Sequence, residues 1–198
     1  MRTRNPWIEG HDEYYDQYAL VGCTFWYLFA FGDELEVSLS SELSRLDAWK
    51  REHSRRQHPT VAVHIRAGDH AMRVGNLVYD SAGESGAETI MGCALRWSQA
   101  VGFEDANFVV VSDSEESKRL AEEMFPGRVF ASSSVPFHTD KSAHDSLTGT
   151  LGSWVDMLLL ALSDAIVLSR SGFGESAAEI GMFPPERVLR WEQCVEWV

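Results

Sequence analysis

The stretch Pro59-Thr60-Val61-Ala62-Val63-His64-Ile65-Arg66-Ala67-Gly68-Asp69 decides the fold. Its first part, Thr60 to Ile65, is a short run rich in apolar and β-branched residues, with a proline before it and a glycine after it. Such a run is typical of a buried strand. We therefore predict a strand over Thr60 to Ile65, with Arg66 directly after it.

Similar short runs recur along the chain beyond this strand and alternate with segments that have helical periodicity. The predicted strands are Asn107 to Val111, Arg128 to Phe130, Ala165 to Leu168 and Arg187 to Arg190, and the predicted helices are Ala87 to Val101, Glu115 to Phe125, Gly152 to Leu162 and Glu175 to Met182. Such alternation implies βαβ crossovers and parallel pairing. The sequence thus predicts an α/β fold with a Rossmann-like parallel sheet, helices on both faces and ligands outside the carboxyl ends of the strands.

The chain ahead of the first strand has a different pattern. Between Ala19 and Arg56, apolar residues recur every three or four positions, with an interruption at Gly32. This spacing predicts two helices joined by a short turn. We therefore divide the chain into a helical N-terminal segment, residues 1–58, and a Rossmann-like ligand-binding domain, residues 59–198.

Composition and charge exclude several classes of protein. The chain has 198 residues and a formal net charge of -13. A surface of that sign repels a phosphate backbone, so we expect no nucleic-acid binding, and local groups must hold any phosphorylated ligand. The most apolar stretch, Tyr18 to Phe31, is too short to span a bilayer, so we expect no membrane segment in this chain. Met1 to Glu9 lacks the basic-then-apolar order of a signal peptide.

The cysteines suggest neither a disulfide framework nor a metal site. Cys23, Cys93 and Cys194 are widely spaced and odd in number. A disulfide-rich scaffold needs more cysteines, and a zinc site of the CxxC type needs closer ones. We predict buried or reduced thiols.

The residues that follow the first predicted strand carry chemistry. Arg66 has a planar guanidinium that can contact two phosphate oxygens at once. Gly68 lets the backbone turn close to a ligand, and Asp69 is placed to orient Arg66 or the loop. A pair between Arg66 and Asp69 that only closes the turn is the structural alternative.

The second and fourth strands also end in polar stretches. Ser112 or Asp113 would cap the next helix, or the Asp113 carboxylate would accept hydrogen bonds from the edge of a guanine ring. Ser169-Arg170-Ser171-Gly172-Phe173-Gly174 precedes a helix, whose free backbone N–H groups and dipole favour a phosphate. The chain has neither the GxxxxGK[ST] pattern of P-loop ATPases nor the full GxGxxG spacing of NAD enzymes.

The three strand ends, in this order, resemble a known family. His64-x-Arg66-x-Gly68-Asp69, Val111-Ser112-Asp113-Ser114-Glu115 and Ser169-Arg170-Ser171-Gly172-Phe173 are similar to the three donor-site motifs of the GDP-fucose-dependent fucosyltransferases. That family includes the protein O-, core and xyloglucan enzymes. The segment from Val21 to Phe29 also resembles the helix before the first motif in xyloglucan-type members. The resemblance covers roughly Leu20 to Glu179, and the first motif is its specific part.

The resemblance implies the donor-binding half of a two-Rossmann glycosyltransferase. Its reaction would be an inverting, metal-independent transfer of fucose from GDP-fucose to a glycan or protein acceptor, with no further cofactor. Arg66 would act catalytically by contacting the β-phosphate and stabilising the charge that builds on departing GDP. The implied substrate-binding residues are His64 beside the nucleotide, Gly68 and Asp69 in the first motif, Ser112 and Asp113 (guanine) in the second, and Ser171, Gly172 and Phe173 at the phosphates.

Two long polar segments follow predicted strands, Ala67 to Gly86 and Ala131 to Thr150. Loops of this length in a compact domain are usually functional. The second holds four potential metal ligands, His138, Asp140, His144 and Asp145. They lack the rigid spacing of a helical metal motif, so we predict no metal site.

Three functions follow from these patterns. The motif order favours a fucosyltransferase-like enzyme. The chain is short for a family whose first domain helps to bind the acceptor, which favours a non-catalytic module that binds GDP or a GDP-sugar. A purely structural α/β domain is the third. Family resemblance implies the Golgi or secretory pathway if the chain belongs to a longer eukaryotic protein, and a soluble protein otherwise.

Overall fold

The computed structural model describes residues 22–25, 32–66, 84–134 and 146–194. In chain order the elements are α1 (Asp33–Glu52), β1 (Thr60–Ile65), α2 (Glu84–Ala100), β2 (Asn107–Ser112), α3 (Glu115–Met124), β3 (Val129–Ala131), α4 (Ser146–Ala161), β4 (Ala165–Leu168), α5 (Gly172–Ile180), a 3₁₀ turn (Pro185–Arg187), β5 (Val188–Arg190) and α6 (Trp191–Cys194). The predicted α/β fold is confirmed. Within the described ranges, no helix is both long and apolar enough to cross a membrane.

The sheet has five parallel strands in the order β3-β2-β1-β4-β5. From β1 the chain proceeds to β2 and β3 on one side, whereas β4 and β5 lie on the other side. The boundary between β1 and β4 is therefore the topological switch point, with Val61 opposite Ala165 and His64 opposite Leu168. In open parallel sheets, ligands bind at the carboxyl ends of the strands at such a point.

Helices cover both faces of the sheet because alternate strand residues point to opposite sides. Val63 of β1 belongs to a buried cluster with residues of α2 and α3. Ala62, its neighbour, belongs to a second cluster with residues of α4 and α5. Helix α1 adds Leu35 to a third cluster, which includes Val109 of β2 and residues of α4. Both faces are therefore apolar, as the uninterrupted run of β1 predicts.

The predicted boundaries are confirmed for β1 and β4, but three helices begin earlier than predicted, and α2 begins at Glu84 rather than Ala87. Helix α5 begins at Gly172 rather than Glu175, because the Ser171 side chain caps it by accepting a hydrogen bond from the Phe173 N–H. Helix α4 begins at Ser146 rather than Gly152, so part of a predicted polar loop is helical. Its first turns have low helix propensity, and tertiary packing overrides that weak preference.

The cysteines were predicted to be buried or reduced thiols, and two of the three are buried but not reduced. Cys93 of α2 and Cys194 of α6 form a disulfide, with their Cα atoms 5.6 Å apart. The two residues are 101 positions apart in the chain, so their spacing does not predict the disulfide. Cys23 is a free and exposed thiol. The disulfide joins the end of the described chain to the helix that covers β1.

Candidate functional site

Seven of the nine predicted site residues lie within the described ranges, and they follow or end three neighbouring strands, β2, β1 and β4. Parallel strands bring their carboxyl ends to one edge of the sheet, so these residues share that edge. Gly68 and Asp69 lie outside the described residues. We define the switch-point cluster as His64, Arg66, Asp113, Ser169 and Ser171–Phe173.

Arg66 connects the ends of the strands on both sides of β1. Its backbone N–H donates to the Ser169 Oγ at 2.8 Å, which ties it to the end of β4. Its Nε lies 3.2 Å from the Asp113 Oδ2, which ties its side chain to the end of β2. The Arg66 side chain is 33% exposed and that of Asp113 is 11% exposed. A guanidinium held in this way remains partly accessible to an anion.

The structural alternative for Arg66 was a pair with Asp69. Within the described residues, the carboxylate that contacts Arg66 is that of Asp113, which comes from another strand. This pair forms across the sheet edge, between the ends of β1 and β2, and a pair with Asp69, which lies outside the described residues, stays a prediction. Such a carboxylate can orient the Arg66 guanidinium for a ligand, and it can also serve only to hold two strand ends together.

His64 is buried at the end of β1 and is a neutral group. Burial and, second, the nearby charge of Arg66 lower the pKa of His64 to about 4. Its Nδ1 lies 3.2 Å from the Ser169 Oγ, and its ring centroid lies 5.4 Å from that of Phe173. His64 therefore brings polarity without positive charge to the cluster, and its place beside a nucleotide stays a prediction.

The N-terminus of α5 has the features of an anion-binding turn. The first N–H groups of a helix have no partner inside the helix, and the positive end of its dipole lies there. A Cβ added at Gly172 would meet no described atom within 4 Å, so the backbone at this position borders open space. The acidic Glu175 of the same turn forms a two-point ion pair with Arg190, at 2.9 and 3.0 Å. That pair reduces the negative charge near the turn.

Residues of the second motif, Val111 to Glu115, have two kinds of role: some stabilise the local backbone, and Asp113 belongs to the switch-point cluster. Ser112 is buried, and its Oγ accepts a hydrogen bond from the Ser114 N–H at 3.1 Å. Neither Ser112 nor Asp113 caps α3, contrary to prediction. The helix begins at the predicted residue, Glu115, so its N-cap is the residue directly before, Ser114, whose side chain accepts a hydrogen bond from the Ser117 N–H. Asp113 is consequently available to Arg66.

Two residues of the cluster region were missed by the sequence analysis. Ser169 bridges Arg66 and His64, and its position directly after a predicted strand was the signal for it. Gly174 lies in the first turn of α5, where an added Cβ would be 2.9 Å from the His64 Nδ1 and 3.0 Å from the Leu168 Cδ2. Close approach of helix and strand explains this glycine, which the sequence marks only as the second of two in Gly-x-Gly.

A further buried carboxyl lies near the end of β3. Asp156 of α4 accepts hydrogen bonds from the Ser132 and Ser134 hydroxyls, and burial raises its pKa although both bonds and the charge of Lys118 oppose the shift. Lys118 is itself buried and donates to the Ser134 carbonyl at 2.7 Å. An aspartate inside an apolar helical run was the signal that could have identified this group.

Other parts of the molecule offer weaker sites. Among the described residues, no group of three or more potential metal ligands occurs, and His138, Asp140, His144 and Asp145 lie outside them. A cavity of about 410 Å³ is lined by one helix, α1, from Glu36 to Arg51. It is an open groove that takes no residue from the strand ends. We therefore base the functional argument on the switch-point cluster.

Comparison with known proteins adds no family. The chain matches no protein-family model, and a search of curated proteins finds no significant match. The argument for function consequently depends on the fold and on the chemistry of the switch-point cluster.

Proposed function

We propose that the switch-point cluster binds the diphosphate of a nucleotide-sugar, as the donor site of a fucosyltransferase-like, inverting and metal-independent glycosyltransferase. GDP-fucose would be the donor, and a glycan or protein hydroxyl the acceptor. Arg66 carries the proposal, because it is a partly exposed guanidinium held at the switch point of a parallel sheet. Its fixed fork of donors suits phosphate oxygens better than a lysine would.

The N-terminus of α5 supports the same proposal. It begins beside Arg66, since Ser169 contacts the Arg66 backbone and α5 starts three residues later. The turn at Gly172 leaves room for a ligand to approach the backbone. An arginine and a helix N-terminus on neighbouring strand ends would together neutralise a diphosphate. Such local neutralisation is necessary because a protein of net charge -13 otherwise repels an anionic ligand.

In the proposed reaction, the acceptor oxygen attacks the anomeric carbon of fucose while the bond from that carbon to the β-phosphate oxygen breaks. The acceptor proton passes to a general base. Negative charge grows on the departing GDP as the bond breaks. Arg66 and the first turn of α5 would stabilise that charge, which is the electrostatic contribution expected of a preorganised site.

Asp113 has two proposed roles that an experiment can separate. Its contact with Arg66 makes it an orienting group for the guanidinium. The motif resemblance makes it a reader of the guanine edge. An orienting carboxylate affects every nucleoside diphosphate equally, whereas a guanine reader affects GDP alone. Asp156 is a second buried carboxyl near the same sheet edge and serves as the comparison.

Calorimetric titration with GDP, ADP and UDP tests the diphosphate site. We expect Arg66→Lys to weaken GDP binding about tenfold or more, because a charge-assisted hydrogen bond contributes about 1.5–3 kcal/mol and each 1.4 kcal/mol is about a factor of ten. Arg170→Lys is the matched control, since Arg170 follows β4 but is exposed and paired with Glu192. Unchanged GDP affinity in Arg66→Lys, or the absence of nucleotide binding in the wild type, would refute the proposal.

The same titration distinguishes the roles of Asp113. If Asp113 reads guanine, wild type binds GDP more tightly than ADP or UDP, and Asp113→Asn loses that preference. If it only orients Arg66, Asp113→Asn weakens all three nucleotides alike. Loss of the preference in Asp156→Asn, with Asp113→Asn unaffected, would move guanine recognition to the end of β3. Equal affinity of wild type for the three nucleotides removes the guanine assignment and retains the diphosphate site.

A second function, a GDP-sugar-binding module without transfer, is supported by one observation. The titratable groups of the switch-point cluster are a neutral histidine, an arginine and a carboxylate that contacts this arginine. The lowered pKa of His64 makes it a weak base and the Asp113 carboxylate contacts a cation, so these groups suit binding better than abstraction of a proton from an acceptor. Release of GDP from GDP-fucose, measured with and without added glycan acceptors, separates the functions. Binding of GDP-fucose without release of GDP, with every acceptor tested, supports the non-catalytic binding module.

A further inference from the structure

Ser169 occupies a special position at the switch point. It directly follows β4, is 3% exposed, and its backbone N–H donates to the His64 carbonyl at 3.1 Å. The pairing of β1 with β4 thus continues by one residue to Ser169. The side chain at this point lies between the two strands that meet at the switch point.

The hydroxyl of Ser169 contacts two members of the cluster at once. Its Oγ lies 2.8 Å from the Arg66 backbone nitrogen and 3.2 Å from the His64 Nδ1. A backbone N–H can only donate, so the oxygen accepts from Arg66. A serine hydroxyl has one hydrogen of its own to donate as well as lone pairs to accept. The direction of the second bond determines which nitrogen of His64 carries the proton.

The surroundings of the hydroxyl decide that direction. Among the described residues, Ser169 has no hydrogen-bond acceptor for its side chain other than the His64 Nδ1. If Nδ1 carried the proton and donated to the serine, the buried serine hydrogen would be left without an acceptor, which is costly. If the serine donates to Nδ1, the serine hydrogen has an acceptor and the Nδ1 lone pair has a donor. A neutral imidazole whose Nδ1 accepts carries its proton on Nε2.

Gly174 allows the backbone of α5 to lie against this ring. The backbone of α5 approaches so closely that an added Cβ would lie 2.9 Å from the His64 Nδ1. A half-turn of the ring would replace Nδ1 by a carbon and break the bond with Ser169. Burial, which lowers the pKa of His64 to about 4, is consistent with a ring that stays neutral.

We propose that Ser169 is a positioning residue of the switch-point cluster: its hydroxyl holds the Arg66 backbone and fixes His64 as the neutral Nε2–H tautomer. Ser169 itself touches no ligand in this scheme. It acts through the backbone of Arg66, from which the guanidinium extends, and through His64, whose ring it restricts to a single N–H donor, at Nε2. The effect on nucleotide binding depends on the proposed diphosphate site, whereas the tautomer does not.

The tautomer is measured by long-range ¹H–¹⁵N NMR of imidazole-labelled protein at neutral pH, with His64→Gln used to assign the His64 signals. We expect a pyridine-like Nδ1 and a protonated, pyrrole-like Nε2 in wild type. Ser169→Ala should move the Nδ1 signal or mix the tautomers, and Ser169→Thr, which keeps the hydroxyl, should restore the wild-type pattern. A protonated Nδ1 in the wild type overturns the proposal, even if no variant folds.

Nucleotide affinity supplies the second measurement. We expect Ser169→Ala to bind GDP about three- to tenfold more weakly, as for the loss of one hydrogen bond, and Ser169→Thr to recover much of that affinity. Wild-type tautomer and wild-type affinity in Ser169→Ala together overturn the positioning role. If wild type binds no nucleotide but shows the expected tautomer and its dependence on the hydroxyl, the proposed function fails and the tautomer assignment stands.

Discussion

Burial of neutral His64 should make the stability of the protein depend on pH in a defined window. An unperturbed histidine has a pKa of 6.5, and burial with the charge of Arg66 lowers that of His64 to about 4. Between these values the unfolded chain takes up a proton that the folded protein does not. Protonation therefore favours unfolding, so this contribution is fully present above pH 6.5 and is lost as the pH falls toward about 4.

The magnitude follows from the separation of the two pKa values. At about 1.36 kcal/mol for each pH unit, the gap between 6.5 and about 4 corresponds to about 3 kcal/mol of unfolding free energy. His64 is buried, so solvent screening does not reduce this figure greatly. For a single domain with unfolding free energy on the order of 5–15 kcal/mol, the loss is substantial.

Urea unfolding at several pH values across this window, on wild type and His64→Gln, measures the effect. Asp156 has the opposite effect on the pH dependence of stability. Because burial raises its pKa, its contribution to the free energy of unfolding increases as the pH falls. Both proteins keep Asp156, so the difference between their pH slopes isolates His64. We expect the wild type to lose about 3 kcal/mol more than His64→Gln between pH 6.5 and about 4. Parallel slopes would refute a buried, neutral His64.

Two further predictions concern packing and the disulfide. Gly174→Ala places a Cβ 2.9 Å from the His64 Nδ1, so we expect overpacking to lower the unfolding free energy, measured by thermal unfolding, by about 1–3 kcal/mol. Gly172→Ala, whose Cβ meets no described atom within 4 Å, should cost less. Equal costs for the two variants would contradict the close approach of α5 to His64. Cys93→Ser removes the bond to Cys194 and should lower the unfolding free energy by about 2–5 kcal/mol, whereas Cys23→Ser, at an exposed free thiol, should have little effect. Adding a reductant to wild type should reproduce the Cys93→Ser value, and a stability that depends on neither change would argue against the bond.

The amino-acid sequence was sufficient to predict the types of element and most of their order. The predicted bounds of β1 and β4 agree with the observed ones. A strand that is buried on both faces requires apolar side chains at successive positions, so an uninterrupted apolar run marks where it begins and ends. Helix starts were less predictable. Gly172 has poor helix propensity, and only the hydrogen bond that caps it and the packing of α5 make it helical.

Site residues could be predicted as strand ends but not as neighbours. Arg66 was identifiable as a phosphate-binding side chain, since a guanidinium after a buried strand has a chemical rationale of its own. Its contact with Asp113 was not, because that pair depends on β1 lying beside β2 with matching ends. The same holds for Ser169, which is 103 residues from Arg66 in the chain and meets it through the pairing of β1 with β4.

The sequence by itself determined which segments contain strands and helices, that both faces of the sheet are covered, and which side chains follow the strands. Periodicity and side-chain shape encode these properties over a few residues at a time. Only the tertiary structure decided the strand order, the switch point between β1 and β4, the disulfide across 101 residues and the buried position of Asp156. Each of these depends on which distant surfaces pack together, and a local pattern of apolar residues is compatible with several such pairings.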